Sequence, residues 1–273
     1  MNQQIQEPGK KQASAIAFNK LFTIIVPLFL FIVIINKMNK RFIAAVVFLV
    51  FLTGPFQSAF GQTTKGKFVK IFDGKSFKGW EADTAFWKVK DGVAVGQVLP
   101  GQAIETNTFL IWKGGEPANF EFKAQYRISP EGNSGVQYRS EAVKGISYAL
   151  KGYQADIDGA NTYTGQNYEE RGRGFLAMRG QKVILKTKEN PLVTDSTSLG
   201  GSNALKAKIK SDWNDIRIVA KGNKLQHYIN GVLMSEAIEE DTVQGKSSGL
   251  LGMQVHVSSK MKVEYREIYL KQL

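Results

Sequence analysis

From Lys67 to Leu273 apolar and polar residues alternate in short runs, and no stretch sustains the 3.6-residue apolar period of a long helix. That pattern restricts the fold more than any other feature, because a period of two places successive side chains on opposite faces of a strand. NFEFKAQYRIS, Asn119 to Ser129, sets Phe120, Phe122, Ala124, Tyr126 and Ile128 on one side and Glu121, Lys123, Gln125 and Arg127 on the other. FWKVKDGVAVGQ, Phe86 to Gln97, reads as two strands joined at Asp91-Gly92, and Trp213 to Glu236 carries a Gly222-Asn223 and an Asn230-Gly231 turn. Asn-Gly and Asp-Gly tolerate positive φ at both central positions, which a tight hairpin requires. A turn or two of helix is expected near Ala204 to Lys210, and Glu189 to Ala204 reads as a polar surface excursion between strands. Many short strands without an internal repeat predict an all-β fold, an antiparallel two-sheet jelly-roll sandwich.

The first 61 residues stand apart. Leu21 to Ile35 is an apolar run, short for a span of roughly 20 residues. Met38 then opens a second unit of Asn39, Lys40 and Arg41, the apolar FIAAVVFLVFL, and small residues at Ala59 and Gly61. This is the layout of a signal peptide with cleavage near Gly61, so the true start is read as Met38. An uncleaved anchor or helical hairpin is the competing reading, and either one carries the remainder across a membrane, to a periplasmic or secreted address. The domain proper is then 62–273, with no contact with membrane except through the N-terminal segment. The chain has no Cys, so neither a disulfide framework nor a lipid-attachment cysteine is available.

Of 36 basic and 24 acidic side chains, 6 and 1 precede Gln62, leaving 30 against 23. The basic residues are scattered, which gives a nucleic-acid partner little support. No nucleophile elbow, P-loop, zinc motif or dinucleotide fingerprint occurs.

Alternation also locates a polar face. In SGVQYRS Val136 and Tyr138 point inward, leaving Gln137 and Arg139 outward. In GYQADID Gln154, Asp156 and Asp158 point outward, and in GMQVHV Gln254 and His256 do. If these strands neighbour one another, their outer groups pool into a floor. The segment Gly159 to Gly174 would then form its wall, with Tyr163 and Tyr168 to stack on a ring, Asn161 and Asn167 to bind hydroxyls, and Glu169 or Glu170 as acid or base. Against this stands the wet face that any antiparallel sheet shows. Equally, Glu169, Glu170, Arg171 and Arg173 read as a salt-bridged loop base. Asp156, Asp158 and Gly159 form a fragment of a calcium loop without its remaining ligands. His227, between Leu225 and Ile229, is expected in the core, and so are Trp80, Trp87 and Trp213; Trp112 precedes a Lys113-Gly114-Gly115 turn that a ligand can approach.

Taken in order, FDGKSFKGW, WKVKDGVAVG, FEFKAQYRISPEGNSGVQYRS, GYQADID, WNDIRIVAKGNKLQHYINGV and GLLGMQVH with VEYREIYLKQL resemble the 3-keto-disaccharide hydrolase family from about Phe68 to Leu273. The resemblance implies a concanavalin A-like lectin or glucanase sandwich and a carbohydrate ligand. It also implies cleavage of 3-keto-glycosides by elimination across carbons 1 and 2 followed by hydration. Such chemistry needs a base near carbon 2, a donor for the enolate and an acid for the leaving oxygen. From residue chemistry His256 is expected as base or acid, Arg139 as enolate donor, and Asp156 or Glu170 as partner or second base. Gln137, Gln154, Asp158, Tyr163, Tyr168, Glu169, Arg171, Gln254 and Lys113 are expected to bind substrate. No cofactor is firmly implied, and a divalent metal is left open. YTGQNYEERGRG departs from the shorter loops of the family and points to a subgroup with its own substrate. The competing functions are a carbohydrate-binding module, which would expose planar aromatics instead of ionisable groups, and a conventional glucanase, which needs two carboxylates roughly 5 to 9 Å apart.

Overall fold

A computed structural model describes residues 65–187 and 193–273. The N-terminal apolar runs and the signal-peptide reading lie outside the described residues. The strands are β1 (Val69–Lys70), β2 (Trp80–Glu81), β3 (Trp87–Lys90), β4 (Val93–Val98), β5 (Thr108–Trp112), β6 (Phe120–Ile128), β7 (Asn133–Ala142), β8 (Leu150–Asp158) and β9 (Asn167–Glu170). They continue as β10 (Gly174–Ala177), β11 (Gln181–Lys186), β12 (Val193–Ser198), β13 (Asn214–Lys221), β14 (Lys224–Ile229), β15 (Val232–Glu239), β16 (Leu250–Val255) and β17 (Met261–Gln272). Among the described residues one short helix, α1 (Ser202–Lys206), begins slightly before the position expected from sequence.

The strands form a two-sheet jelly-roll sandwich. A 10-stranded sheet runs β12-β11-β15-β14-β13-β6-β17-β4-β3, with β1 paired to β17, and a 7-stranded sheet runs β10-β9-β8-β7-β16-β5-β2. Pairing is antiparallel except between β11 and β15, where Lys182 meets Glu236 and Leu185 meets Glu239 in parallel register. The segment read as a surface excursion contains β12, which pairs with β11 at the sheet edge.

The core is the predicted inner faces brought together. Phe120, Phe122 and Tyr126 of β6 join Ile216 and Ile218 of β13 and Val263 and Tyr265 of β17 from one sheet. Val136 and Tyr138 of β7, Tyr153 and Ile157 of β8, and Met253 of β16 meet them from the other. Phe120 and Tyr138 make an edge-to-face contact across the interface, with centroids 5.9 Å apart. Asp91 and Gly92 both adopt positive φ between β3 and β4, as do Asn230 and Gly231 between β14 and β15.

Trp80, Trp87 and Trp112 are buried in this core. Trp213 is not: it is only half-buried, with the guanidinium groups of Arg127 and Arg266 at 4.8 and 3.9 Å from its ring centroid. Each cation over the indole face is attracted by the ring quadrupole, worth about 0.5 to 1 kcal/mol at an exposed site. His227 sits in the core, bonded through Nε2 to Tyr138 Oη at 2.8 Å and through Nδ1 to the Gln166 carbonyl at 3.1 Å. A carbonyl only accepts, so Nδ1 carries the proton and Nε2 receives the tyrosine hydroxyl. Burial lowers the imidazole to about 4, opposed by the bond to Gln166.

Candidate functional site

On the outer face of the 7-stranded sheet, β7, β8 and β9 lie side by side, with Gly135 opposite Asp156, Gln137 opposite Gln154, and Gln154 opposite Tyr168. Glycine at 135 is what lets Gln154 lie flat across β7, since a Cβ there would come within 2.5 Å of Gln154 Cγ. From that position Gln154 Nε2 donates to Asp156 Oδ1 at 2.7 Å, and Gln166 Nε2 donates to Asp156 Oδ2 at 2.7 Å.

Asp156 is therefore held at both oxygens inside the protein. Burial pushes its carboxyl up to about 7; the amides of Gln166 and Gln154 oppose the rise, and the carboxylates of Asp158 and Glu170 add to it. A carboxyl poised near neutrality can both give and take a proton at working pH.

Asp156 lines a cavity of about 220 Å³ together with Asn133, Gln154, Tyr163, Tyr168, Glu170, Phe175, Gln254 and His256. His256 follows β16 and donates Nδ1–H to the Val257 carbonyl at 2.7 Å, the only role that a carbonyl partner permits. Its Nε2 is left with a lone pair. Asn107 ties the two rims of the cavity, accepting from Val257 N at 2.9 Å and donating to Glu170 Oε1 at 3.0 Å. Gln254 is fully buried in the floor, and neither of its amide atoms has a partner among the described residues; the same holds for Gln154 Oε1. Buried amides in that state are the residues of a binding site that most need a ligand's hydroxyl or carbonyl. Among the described residues no group of three or more His, Asp or Glu side chains is placed to hold a metal.

The structure thus brings His256, Asp156, Glu170, Gln154, Gln254, Tyr163 and Tyr168 around one cavity, and leaves the other expected residues elsewhere. Arg139 is the largest departure. A bulge between Tyr138 and Glu141, with Arg139 at φ 47°, breaks the alternation of β7 and turns the side chain away from the floor. Its guanidinium binds the carbonyls of Ala118, Gly222 and Lys246, so the enolate donor expected here is a structural cation. Gln137 shares the floor's face but does not line the cavity; its Oε1 accepts from Ser140 Oγ at 3.1 Å, and its Nε2 has no partner among the described residues.

Asp158 is likewise occupied. Its carboxylate accepts from the backbone amides of Thr162, Tyr163 and Thr164, stapling the turn that presents Tyr163. Glu169 faces inward opposite Tyr153 and pairs with the buried Arg173 side chain, which also meets Glu239 and Asp241. Arg171 bonds Thr106 Oγ1, and Lys113 pairs with Glu81 on the surface at 2.8 Å. Asn167 points between the sheets toward Tyr138 Oη, and Asn161 does not line the cavity. The crowded charges of Gly152 to Gly174 therefore divide among a turn staple, a buried ion cluster and a cavity wall.

Asn133 and Phe175 line the cavity unforeseen. Both were within reach of the alternation rule, since Asn133 lies two and four residues before Gly135 and Gln137, and Phe175 precedes the inward Leu176. Phe175 stacks on Tyr163 at 6.0 Å with 24° between rings and meets Tyr168 edge-on at 5.3 Å. The mouth therefore carries the two tyrosines expected to stack on a ring, and Phe175, from the strand beside them, adds a planar aromatic to a face read from sequence as polar and ionisable.

The family model for the 3-keto-alpha-glucoside-1,2-lyase-like domain matches residues 67–271. Among solved structures, a galectin-like-fold protein of unknown function from Bacillus subtilis is 11% identical, covering 77% of this chain and 97% of that one, at a TM-score of 0.51. A candidate glycosyl hydrolase from Parabacteroides distasonis ATCC 8503 is 19% identical over 76% and 94% at 0.48. The carbohydrate binding module CBM66 from Bacillus subtilis is 12% identical over 71% and 96% at 0.46. A search of curated proteins found no match.

Proposed function

The chain belongs to the 3-keto-alpha-glucoside-1,2-lyase-like domain family, a carbohydrate-active, glycosyl hydrolase-like group, and from that premise we propose that it cleaves 3-keto-glycosides by elimination and hydration. The observation that carries the reading is the meeting, in one cavity, of a carboxyl poised at about 7 and a histidine whose Nε2 has no hydrogen-bond partner among the described residues.

The ketone at carbon 3 acidifies the proton on carbon 2. His256 Nε2 takes that proton, and the electron pair moves toward the carbon 3 oxygen as an enolate. Gln254 Nε2, buried and without a protein partner among the described residues, supplies the hydrogen bond that the enolate needs, in the place first given to Arg139. The enolate then re-forms its ketone, the carbon 1–carbon 2 double bond forms, and the bond from carbon 1 to the aglycone oxygen breaks. Asp156, about half protonated near pH 7, gives that oxygen its proton. Water adds across the double bond, hydroxide to carbon 1 and a proton to carbon 2, for net hydrolysis. Glu170 is assigned to orient the water, a role supported by its place on the cavity lining and its bond from Asn107. The reaction is proposed to take place after export, in the periplasm or outside the cell.

Asp156 and Glu170 also favour a second reading, since two carboxylates on one cavity are what a conventional glycosidase requires. Incubation with a 3-keto-glucoside and with its unoxidised parent in heavy water separates the two. Aglycone release from the keto form alone, with deuterium entering at carbon 2, supports elimination. Release from the parent supports the glycosidase, and binding without release from either makes this a carbohydrate-binding module.

A further inference from the structure

A cavity of about 220 Å³ falls below the roughly 300 to 1,000 Å³ that encloses a drug-sized ligand, so it takes one sugar ring and leaves the aglycone outside. What lies outside is apolar. Of seven large hydrophobic side chains exposed among the described residues, Tyr163 and Phe175 line this cavity and Val257 follows His256 directly. Phe175 is 56% exposed, the most of the three, although Leu176 and Ala177 beside it are buried. Apolar surface concentrated at one mouth marks a binding surface. The rim is also prebuilt, because Asp158 fixes the turn carrying Tyr163 through three backbone amides and Phe175 packs on both tyrosines. A rim ordered before binding loses little freedom when its ligand arrives.

We propose that Phe175, Tyr163 and Tyr168 form the leaving-group subsite and that its ligand is an aromatic aglycone, the phenol-type ring of an aryl 3-keto-glucoside. The inference rests on the cleavage reading above. The amides and carboxyls able to pair with hydroxyls, Gln154, Gln254, Asn133 and Asp156, are gathered in the cavity. A second sugar over Phe175 could offer only its C–H face and would gain no hydrogen bond from that side chain, whereas a flat aromatic ring removes apolar surface from water on every contact it makes there. Such a ring can complete an offset or edge-on cluster with Phe175 and Tyr163.

The test compares the full chain with Phe175→Ala and Phe175→Tyr, using phenyl 3-keto-glucoside, methyl 3-keto-glucoside and a 3-keto-disaccharide. Ratios of variant to native are taken within each substrate, which cancels the better leaving ability of phenol. Phe175→Ala is expected to lower kcat/KM for the phenyl substrate about 3- to 10-fold more than for the methyl one, with Phe175→Tyr restoring it. An equal loss on both overturns the subsite, and a larger loss on the disaccharide assigns the rim to a second sugar instead. Should the native protein cleave none of the three, the cleavage reading fails while calorimetry still decides the subsite. Tighter binding of the phenyl ligand, erased by Phe175→Ala, then supports it; absence of that preference overturns it.

Discussion

Gln154 Nε2 donates to Asp156 Oδ1 at 2.7 Å, a bond that strand geometry allows because residues two apart on β8 share its outer face. With Gln166 on the other oxygen, the carboxyl is oriented without being neutralised by a cation. Its value of about 7 places the alkaline limb of the reaction in the physiological range. Cleavage of a 3-keto-glucoside is expected to fall as pH rises above 7, when Asp156 loses its proton. Asp156→Asn should lower kcat by at least about 100-fold and remove that limb, as a pH–rate profile would reveal.

The same shift has a consequence for stability, and His227 opposes it. Asp156 has a folded value above the 3.8 of an ordinary carboxyl, so its contribution is present at low pH and is lost as pH rises toward 7. His227, lowered from 6.5 to about 4, has the reverse sign, its contribution present above 6.5 and lost as pH falls. Each is worth on the order of 3 to 4 kcal/mol, and over pH 4 to 6.5 the two slopes offset. Urea midpoints of Asp156→Asn should climb with pH across that window, and those of His227→Gln should decline. Parallel curves for the two variants would contradict the assignment.

His256 is only half-buried, and among the described residues its one hydrogen bond is to the adjacent Val257 carbonyl. His256→Ala should leave the melting temperature within about 2 °C of the native value. Deuterium exchange at carbon 2 and aglycone release should both drop by about 100-fold or more. Loss of release with exchange intact would move the base to another residue.

Gln254 is the residue where function and stability separate. Replacing its unpartnered, buried amide by a thioether of similar length removes two polar atoms that fold without partners among the described residues. Gln254→Met is expected to keep or raise the unfolding free energy, by about 1 to 3 kcal/mol, while kcat falls by about 100-fold. A destabilised Gln254→Met protein would show that the amide serves the fold.

Arg139 predicts the opposite pairing of effects. Its guanidinium donates four hydrogen bonds to three carbonyls drawn from segments far apart in sequence. Arg139→Ala should cost about 3 to 5 kcal/mol, measured by urea unfolding, because it leaves those carbonyls without their donor. Activity of the fraction that remains folded should be near native. A folded Arg139→Ala protein with selectively lost kcat would return the residue to the active site.

Alternation of side chains fixed much of this protein before any tertiary contact was known. Strand polarity is local, set by the pleat, so Gln154, Asp156, Gln254 and His256 were assignable to an outer face, and Phe122, Tyr126 and Val136 to the core, from the chain alone. The resemblance carried by ordered segments from Phe68 onward supplied the family. Local rules fail where geometry is set by distant partners. The bulge at Arg139 depends on carbonyls at 118, 222 and 246, so the sequence of β7 cannot announce it. Glu169 and Glu170 are neighbours of the same type, yet one pairs inside with Arg173, which also holds Glu239, while the other faces the cavity, a division made by the pairing of β8 with β9. Trp213 lies outside the core, where two arginines from β6 and β17 converge on its ring. The poised acid itself is a tertiary product. Asp156 lies at about 7 because packing removed its water while Gln166, ten residues away, reached back to hold it, and neither burial nor that reach is written in the period of a strand.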